Sequence, residues 1–295
     1  MSEQHPRPGT GGLGAPFSAP GWDIGHVVLE PGGRPLVMGI VNLTPDSFFA
    51  GSRAGDVAAA VDRALQLAAE GADLLDLGAE SSRPGAEPVG AAEEQDRLLP
   101  VLEALKVETD LPISVDTVRA DTARAALAAG AEAINDISAG VMDPGMAALA
   151  AEKECGLILM HMQGTPRTMQ DNPRYHDVVA EVRGWLAARC RLAEEAGVAP
   201  ERVMIDPGIG FGKDLKHNLA LLKDLREVAG ARPLLLGASR KRFIHGVTGA
   251  AVDDRLPGSL AAVAAAWHGR ATMVRVHDVA ATRQFLDVLQ AIAEA

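Results

Sequence analysis

The sequence is poor in cysteine, in aromatic residues and in positive charge. Of its 295 residues only two are cysteines, Cys155 and Cys190, and only 3% are aromatic. Two cysteines cannot form a disulfide framework, and they predict a reducing, cytoplasmic setting. With 39 acidic against 28 basic residues, the net charge is −11. Such a chain lacks both the basic surface and the stacking platforms of a nucleic-acid-binding protein, so we expect no nucleic-acid partner.

A long apolar run is also missing. The hydrophobic stretches are short and repeatedly interrupted, so we expect no membrane span and no membrane partner. Residues 1–20 are rich in proline, glycine and serine and lack the apolar segment of a signal peptide, which predicts a disordered leader. Apolar residues make up 47% of the chain, enough for a sizeable core. No further linker follows, and residues 21–295 are expected to form a single domain.

The sequence does contain a regular alternation of short apolar runs with longer amphipathic stretches that predict helices, among them residues 175–196. Short continuous apolar runs are typical of strands buried on both faces, and their alternation with helices predicts right-handed βαβ units. Eight runs predict an α/β fold of the (β/α)8 TIM-barrel class, with a doubly wound open sheet as the alternative. Residues 21–35, ahead of the first run, predict a small hairpin. The eight runs are residues 36–41, 73–77, 113–115, 133–137, 157–160, 203–205, 234–236 and 273–276.

Polar side chains follow every one of the eight runs. In a (β/α)8 barrel the chemistry gathers at the carboxyl ends of the strands, so a polar ring at one mouth is the expected site. For any single position the plain explanation is that polar residues begin where a strand ends. That explanation does not account well for such a residue after all eight runs. The residues are Asn42, Asp76 with Glu80, Asp116, Asn135 with Asp136, His161, Asp206, Ser239 with Lys241, and Arg275 with His277.

Residues 206–213 (DPGIGFGK) have the glycine content of a phosphate-binding loop but not its pattern. Pro207 stands where a Walker loop needs glycine, and Asp214 stands where it needs serine or threonine. The glycines instead predict a close approach of the backbone to a flat ligand. Asp206 would bind the amino-pyrimidine edge of such a ligand through paired hydrogen bonds.

Positive charge is concentrated after the last two runs. Residues 239–242 (SRKR) place three cations at the start of a predicted helix, where they oppose its dipole, and Arg275 and His277 lie along the eighth run. TIM barrels often hold phosphate near these two strands, so the cluster predicts an anionic ligand. Mg²⁺ held by Asn42 and by substrate phosphates is compatible with such a site, because Mg²⁺ needs few protein ligands.

Taken together, these segments resemble the dihydropteroate synthases, pterin-binding enzymes of folate biosynthesis, over nearly the whole chain from Trp22 onward. Their order and spacing carry the resemblance, since each segment alone is weak. The segments are residues 38–48 (MGIVNLTPDSF), 80–85 (ESSRPG), 114–117 (SVDT), 134–136 (IND), 160–162 (MHM), 206–213 (DPGIGFGK), 239–241 (SRK) and 275–279 (RVHDV).

The resemblance implies a TIM barrel that condenses 7,8-dihydropterin-6-ylmethyl diphosphate with p-aminobenzoate, giving 7,8-dihydropteroate and pyrophosphate with the help of Mg²⁺. It also implies a homodimer and a sulfonamide-sensitive p-aminobenzoate pocket. Carried over by motif, the pterin would be bound by Asp116, Asn135, Met160, Asp206, Phe211 and Lys241. The diphosphate would be held by Asn42 (through Mg²⁺), Arg275 and His277. The p-aminobenzoate would be bordered by Thr44, Arg83, Pro84 and Ser239, and the catalytic groups would be Asp116, Lys241, Arg275 and His277.

The first loop departs from the family pattern. Residues 47–52 read SFFAGS where the family commonly has SFSDGG. In the second loop, after the second run, Ala79 and Ser82 replace the more usual glycine and threonine. Two alternatives therefore stay open. One is a non-catalytic pterin-binding paralogue, and the other is a methyltetrahydrofolate-dependent methyltransferase of the same fold, which would not need Arg275 and His277.

Overall fold

The computed structural model describes residues 17–43, 53–80 and 89–295, and over these ranges it confirms the predicted alternation. Each apolar run forms a strand whose ends lie within one residue of the expected bounds. Two short strands precede them, β1 (Trp22–Asp23) and β2 (Val28–Leu29). The other strands are β3 (Leu36–Asn42), β4 (Leu74–Gly78), β5 (Ile113–Asp116), β6 (Ala133–Asp136), β7 (Gly156–Met160), β8 (Val203–Asp206), β9 (Leu235–Leu236) and β10 (Met273–Val276).

These eight strands are parallel and close into a barrel. Their hydrogen-bonded order is β8-β7-β6-β5-β4-β3-β10-β9. The circle is completed between the two end strands, where the backbone N–H of Ile205 donates to the carbonyl of Pro233 at 3.0 Å and Ile205 forms a parallel bridge with Leu234. An open doubly wound sheet would leave both edges unpaired, so the fold is the predicted TIM barrel and not the alternative.

Helices surround the barrel, and their first residues follow from local capping. The Asp177 carboxylate accepts hydrogen bonds from the backbone N–H groups of Val179 and Ala180, so α5 begins at Val178 and not at the predicted residue 175. Within the described ranges the α-helices are α1 (Arg53–Ala69), α2 (Ala91–Glu108), α3 (Ala120–Ala128), α4 (Met146–Lys153), α5 (Val178–Glu195), α6 (Leu215–Lys223), α7 (Leu225–Ala229), α8 (Arg242–Thr248), α9 (Leu256–Gly269) and α10 (Val279–Glu294). Single 3₁₀ turns lie at Pro200–Arg202 and Val252–Asp254.

The predicted hairpin is formed by β1 and β2 and covers the amino end of the barrel. Its turn spans residues 24–27, where the Ile24 N–H donates to the Val27 carbonyl at 3.0 Å. Trp22 is fully buried, and its Nε1 donates to the carbonyl of Arg202, just before β8. A Cβ on Gly156 would lie 2.6 Å from the Trp22 ring. The start of β7 therefore requires glycine, because the indole occupies the space of a side chain.

Alternate residues of each strand face two different cores, as the two-residue repeat of a strand dictates. Outward-facing residues pack against the helices in the larger core. Inward-facing residues at the amino end pack with the hairpin in a second apolar cluster, which we call the lower layer. It comprises Trp22, Ile24, Leu36, Met38, Leu74, Ala133, Ile158, Met204, Leu235 and Met273.

No helix in the described parts of the chain combines the length and the hydropathy that crossing a membrane requires.

Candidate active site

Above the lower layer the barrel interior becomes polar. Residues two apart on a strand share a face, so Arg275 is the inward-facing neighbour of Met273 on β10, and Asp206 is that of Met204 on β8. Hydrogen bonds and charge interactions between side chains of different strands show that the polar groups converge. We call this set the upper layer: Asp76, Ser114, Asp116, Asn135, Asp206 and Arg275.

Asp76 on β4 is the most connected carboxylate of the upper layer. It is fully buried, and its Oδ1 accepts a hydrogen bond of 2.6 Å from the Ser114 hydroxyl on β5. Its Oδ2 accepts from the Asn135 amide on β6 at 3.2 Å and from Nε of Arg275 at 2.6 Å. One carboxylate thus links three other strands of the barrel.

Arg275 lies between two carboxylates. Its Nε donates to Asp76, and its Nη2 donates to Oδ2 of Asp116 at 2.8 Å. These two donors form one edge of the planar guanidinium, which carries five N–H groups. Among the described residues nothing accepts from the remaining three N–H groups, and the side chain keeps 20% of its surface exposed. That second edge is suited to an incoming anion, since arginine binds phosphate and carboxylate through paired hydrogen bonds.

Asp116 at the end of β5 titrates near neutrality. Burial raises the pKa of its carboxyl to about 7, against the lowering effect of Arg275. The negative charges of Asp76, Glu94 and Asp136 raise this pKa further. Both protonation states are therefore accessible near pH 7, and Arg275 favours the ionised one.

Asp206 and Lys241 face each other across a glycine. Burial raises the pKa of Asp206, and burial lowers the pKa of Lys241 to about 8 while Asp206 raises it. A Cβ on Gly237 would lie 3.5 Å from Asp206 Oδ2 and 3.8 Å from Lys241 Nζ, so the missing side chain leaves room between the two charges. Lys241 Nζ also donates to the Ile209 carbonyl and lies 4.6 Å from the centroid of the Phe211 ring.

The glycine loop after β8 is pinned from behind by Lys213, a residue to which the sequence patterns assigned no function. Lys213 is 2% exposed, and its Nζ lies 2.9 Å from Nδ1 of His161. It also donates to the carbonyls of His161 and Phe211. Burial and Lys213 lower the pKa of His161 to about 3, so His161 is neutral and supports the glycine loop. At Gly208 (φ +66°) a Cβ would lie 1.9 Å from the His161 carbonyl, so only glycine fits.

An apolar wall stands beside Asp206 and Lys241. Met160 at the end of β7 and Phe211 of the glycine loop pack with Met169 in a small buried cluster. Gln170 donates to the Gly210 carbonyl at 2.7 Å and ties this wall to the glycine loop. The apolar wall thus presents an aromatic ring and a thioether to the polar upper layer, which suits a flat heteroaromatic ligand.

The cation cluster at residues 239–242 is arranged differently from the expectation. Arg240 does not face the site as a free charge, because its guanidinium forms an ion pair with Asp278. Ser239 Oγ lies 3.0 Å from Nδ1 of His277. Around the site the structure places three acidic side chains close to three basic ones, so the positive charge that the sequence concentrates there is compensated by carboxylates. The acids are Asp76, Asp116 and Asp206, and the cations are Lys213, Lys241 and Arg275.

The structure brings together most of the predicted site residues. Asn42 is the last residue of β3 and is half-buried, and Ser239 and His277 lie side by side after β9 and β10. The remaining predicted p-aminobenzoate residues, Thr44, Arg83 and Pro84, lie outside the described residues. So do the two phenylalanines of the altered first loop.

Comparison with known proteins places this site in a family. The sequence profile described as "Pterin binding enzyme" matches residues 38–277. The chain is 42% identical over 282 residues to the dihydropteroate synthase of Synechocystis sp. (strain ATCC 27184 / PCC 6803 / Kazusa), covering 94% of this chain and 96% of that protein. Among solved structures, the Xanthomonas albilineans dihydropteroate synthase with 4-aminobenzoic acid aligns with a TM-score of 0.87 at 46% identity, covering 94% of this chain and all of that one. The same enzyme in complex with 7,8-dihydropteroate aligns with a TM-score of 0.83 at 44% identity, again over 94% of this chain and all of that one. The chain therefore belongs to the pterin-binding enzymes and, within them, to the dihydropteroate synthases.

Proposed function

We propose that this chain condenses 7,8-dihydropterin-6-ylmethyl diphosphate with p-aminobenzoate to give 7,8-dihydropteroate and pyrophosphate. The observation that carries the proposal is the pairing of Asp206 and Lys241 beside the Phe211 ring, next to an arginine with an open donor edge. The first arrangement suits an amino-pyrimidine ring, and the second suits its diphosphate. Relatives solved with 4-aminobenzoic acid and with 7,8-dihydropteroate support the same two ligands here.

The pterin would lie between the apolar wall and the charged groups. Asp206 Oδ1 already accepts from the Gly208 N–H at 2.7 Å, so the carboxylate is held in place to accept N–H groups of the ring. Lys241 would donate to the ring, with Asn135 and Asp116 as further polar partners. Met160 and Phe211 would cover its faces. A buried carboxylate that accepts hydrogen bonds from two ring N–H groups discriminates strongly against ligands that lack them, because such a ligand leaves the carboxylate unpaired.

The diphosphate would be held by the second edge of Arg275 and by His277. Asn42 offers an amide oxygen at the same mouth, and among the described residues no three His, Cys, Asp or Glu side chains form a metal-binding group. One protein oxygen fits Mg²⁺ that is carried mainly by substrate phosphates, so Asn42 would hold it. When bound, Mg²⁺ neutralises charge on the departing pyrophosphate.

In the transfer step the bond between the pterin methylene carbon and the diphosphate oxygen breaks, and its electron pair leaves with pyrophosphate. The neutral aniline nitrogen of p-aminobenzoate bonds to that carbon and then loses one proton to solvent. Positive character on the pterin would be offset by ionised Asp116, which needs no movement to do so. The p-aminobenzoate would be bordered by Ser239 and by Thr44, Arg83 and Pro84, the last three outside the described residues.

Two further properties belong to the proposal. Exposed apolar side chains on the later helices, Leu219 on α6 and Val247 on α8, support a homodimer formed there, and sedimentation would test it. Two free, buried thiols support a cytoplasmic location. We also propose that the p-aminobenzoate pocket is a sulfonamide target, which inhibition of turnover by a sulfonamide would test.

The decisive experiment is pyrophosphate release by the purified protein with Mg²⁺ and the pterin diphosphate, with and without p-aminobenzoate. The proposal predicts release that requires p-aminobenzoate. Absence of release together with tight pterin binding would instead identify a non-catalytic paralogue with an altered first loop. Methyl transfer from methyltetrahydrofolate would identify the other alternative, the methyltransferase.

A further inference from the structure

Asp76 contacts three residues of the proposed site or its support, and the proposed function gives it no ligand to bind. Its carboxylate is fully buried, and all three of its side-chain partners come from other strands. Burying a carboxylate is costly unless it is paired and hydrogen-bonded, so its position is stabilised only by these partners. Such a group can act on chemistry by fixing what it contacts.

The contact that matters most is the one with Arg275. Asp76 takes Nε and Asp116 takes Nη2, which together occupy one edge of the guanidinium. The plane of the guanidinium is thereby fixed, and the second edge is the one that remains for a ligand. If Asp116 were the only partner, the guanidinium could rotate, and either of its two edges could face Asp116.

We propose that Asp76 is a positioning residue for the transfer reaction: it holds Arg275 so that the second guanidinium edge faces the diphosphate. This inference rests on the proposed function, because the anion it serves is the pterin diphosphate.

The substitution Asp76→Asn tests this arrangement at nearly constant volume. With its N–H toward the Ser114 hydroxyl, which can accept, the new amide offers Nε of Arg275 only a neutral oxygen; turned the other way, it loses the bond to Arg275 altogether. We expect affinity for the pterin diphosphate to fall by at least about tenfold, as for loss of one charge-assisted contact. Affinity for 6-hydroxymethyl-7,8-dihydropterin, which has the ring but no diphosphate, would fall by less than about threefold.

Calorimetry with both pterins measures the two affinities without turnover. Asp73→Asn is the matched control, because it makes the same change to a carboxylate that pairs with an arginine, Arg34, just before β4 and outside the upper layer; both affinities should stay within about twofold. Equal losses for the two pterins in Asp76→Asn would overturn the proposal, since they would indicate general damage. No loss for either would overturn it as well.

The pH profile of binding gives a second readout. Asp116 is faced by Arg275 on β10, Asp76 on β4, Glu94 on α2, Asp136 on β6 and Lys241 after β9. Removing the charge of Asp76 removes a group that raises the pKa of Asp116 and leaves Arg275 to pair with Asp116 alone. The acid limb of pterin diphosphate binding should therefore move to lower pH. An unmoved limb would contradict the proposed coupling.

A measurement on the unmodified chain covers the case in which Asp76→Asn does not fold. The Arg275 Nε–H signal, assigned by its loss in Arg275→Lys, should exchange slowly with solvent and remain so when Mg²⁺ and pyrophosphate are added. Arg183, half-exposed on α5, provides the fast-exchanging comparison. If the Arg275 signal exchanges as fast as that of Arg183, Asp76 does not hold it. Neither binding nor exchange requires turnover, so an inactive enzyme would defeat the proposed function while leaving the role of Asp76 separately measurable.

Discussion

The two ends of the barrel interior are built from the same strands but from opposite kinds of side chain. At the amino end the lower layer is wholly apolar and is covered by Trp22 of the hairpin. At the carboxyl end, two residues further along, the upper layer contains carboxylates and an arginine joined by hydrogen bonds. The residues that stabilise the barrel and the residues of the candidate site are therefore separated along the barrel axis, by a single two-residue repeat of each strand.

The separation has an energetic reason. Buried charges must be compensated by partners, and buried ion pairs seldom add net stability relative to apolar packing. The upper layer meets this requirement with balanced charges, such as Arg275 between Asp76 and Asp116. The lower layer contributes hydrophobic burial without that cost. Substitutions in the two layers should therefore affect different properties.

The largest expected effect is on stability, in the lower layer. Trp22→Ala removes a fully buried indole and its hydrogen bond to the Arg202 carbonyl. We expect the free energy of unfolding to fall by about 3–5 kcal/mol, measured by urea denaturation. Activity per folded molecule should stay within about twofold, because Trp22 touches no upper-layer group.

Val28→Ala is the control for that substitution. Val28 lies on the adjacent strand β2 and is 49% exposed, so its truncation should cost less than about 0.5 kcal/mol. A large loss of activity per folded molecule in Trp22→Ala would contradict the separation between the two layers.

The next effect is on pterin affinity, in the upper layer. Asp206→Ala leaves Lys241 without the carboxylate that stabilises its charge, and it removes the acceptor for the ring N–H groups. We expect pterin affinity, measured by calorimetry, to fall by at least about 100-fold, or about 2.7 kcal/mol. Lys241→Ala should have a similar effect.

Asp177→Ala is the same substitution at a helix start. It removes the cap of α5 and should lower stability by about 1 kcal/mol without changing pterin affinity. Unchanged pterin affinity in Asp206→Ala would show that the pterin site has been placed wrongly.

A smaller effect concerns pH. Asp116, whose pKa burial raises to about 7, becomes ionised as the pH rises through that value, and Lys241, whose pKa burial lowers to about 8, loses its charge as the pH rises further. If both charges are needed, kcat/KM for the pterin diphosphate should peak between these values and fall on either side. Lys241→Arg should move only the alkaline limb upward, because arginine does not titrate there. A flat profile from pH 6 to 9 would contradict the assignment.

The smallest effect is expected from the thiols, which belong to neither layer. Cys155 and Cys190 are buried, and burial raises the pKa of Cys155 to about 12. Neither is a nucleophile, so Cys190→Ala should leave kcat within about twofold of the parent value. Reaction with a thiol reagent should be slow until urea is added. Rapid loss of activity in the native state would point to a catalytic thiol.

Much of this arrangement follows from sequence alone, and the reasons are physical. Strands buried on both faces are apolar over most of their length, so the runs marked all eight of them. Helix starts were less exact, because capping by Asp177 depends on a side-chain contact. The polar ends pointed to Asp206, Lys241 and Arg275, which the structure brings close together at one end of the barrel. The sequence patterns did not predict which side chains contact each other. Arg240 pairs with Asp278, Lys213 contacts His161, and Asp76 binds Arg275. Those contacts join residues 38 to 199 positions apart, which no local pattern encodes.

The most direct test of the separation compares two neighbours on one strand. Met273 and Arg275 share the inward face of β10 and belong to the lower and the upper layer. The measurement is p-aminobenzoate-dependent pyrophosphate release by Arg275→Ala and Met273→Leu. We predict that Arg275→Ala lowers kcat/KM by at least about 100-fold, chiefly through weaker diphosphate binding, while Met273→Leu stays within about twofold. Equal losses in the two variants, or release that does not require p-aminobenzoate, would contradict the assignment of the chemistry to the carboxyl end of the barrel.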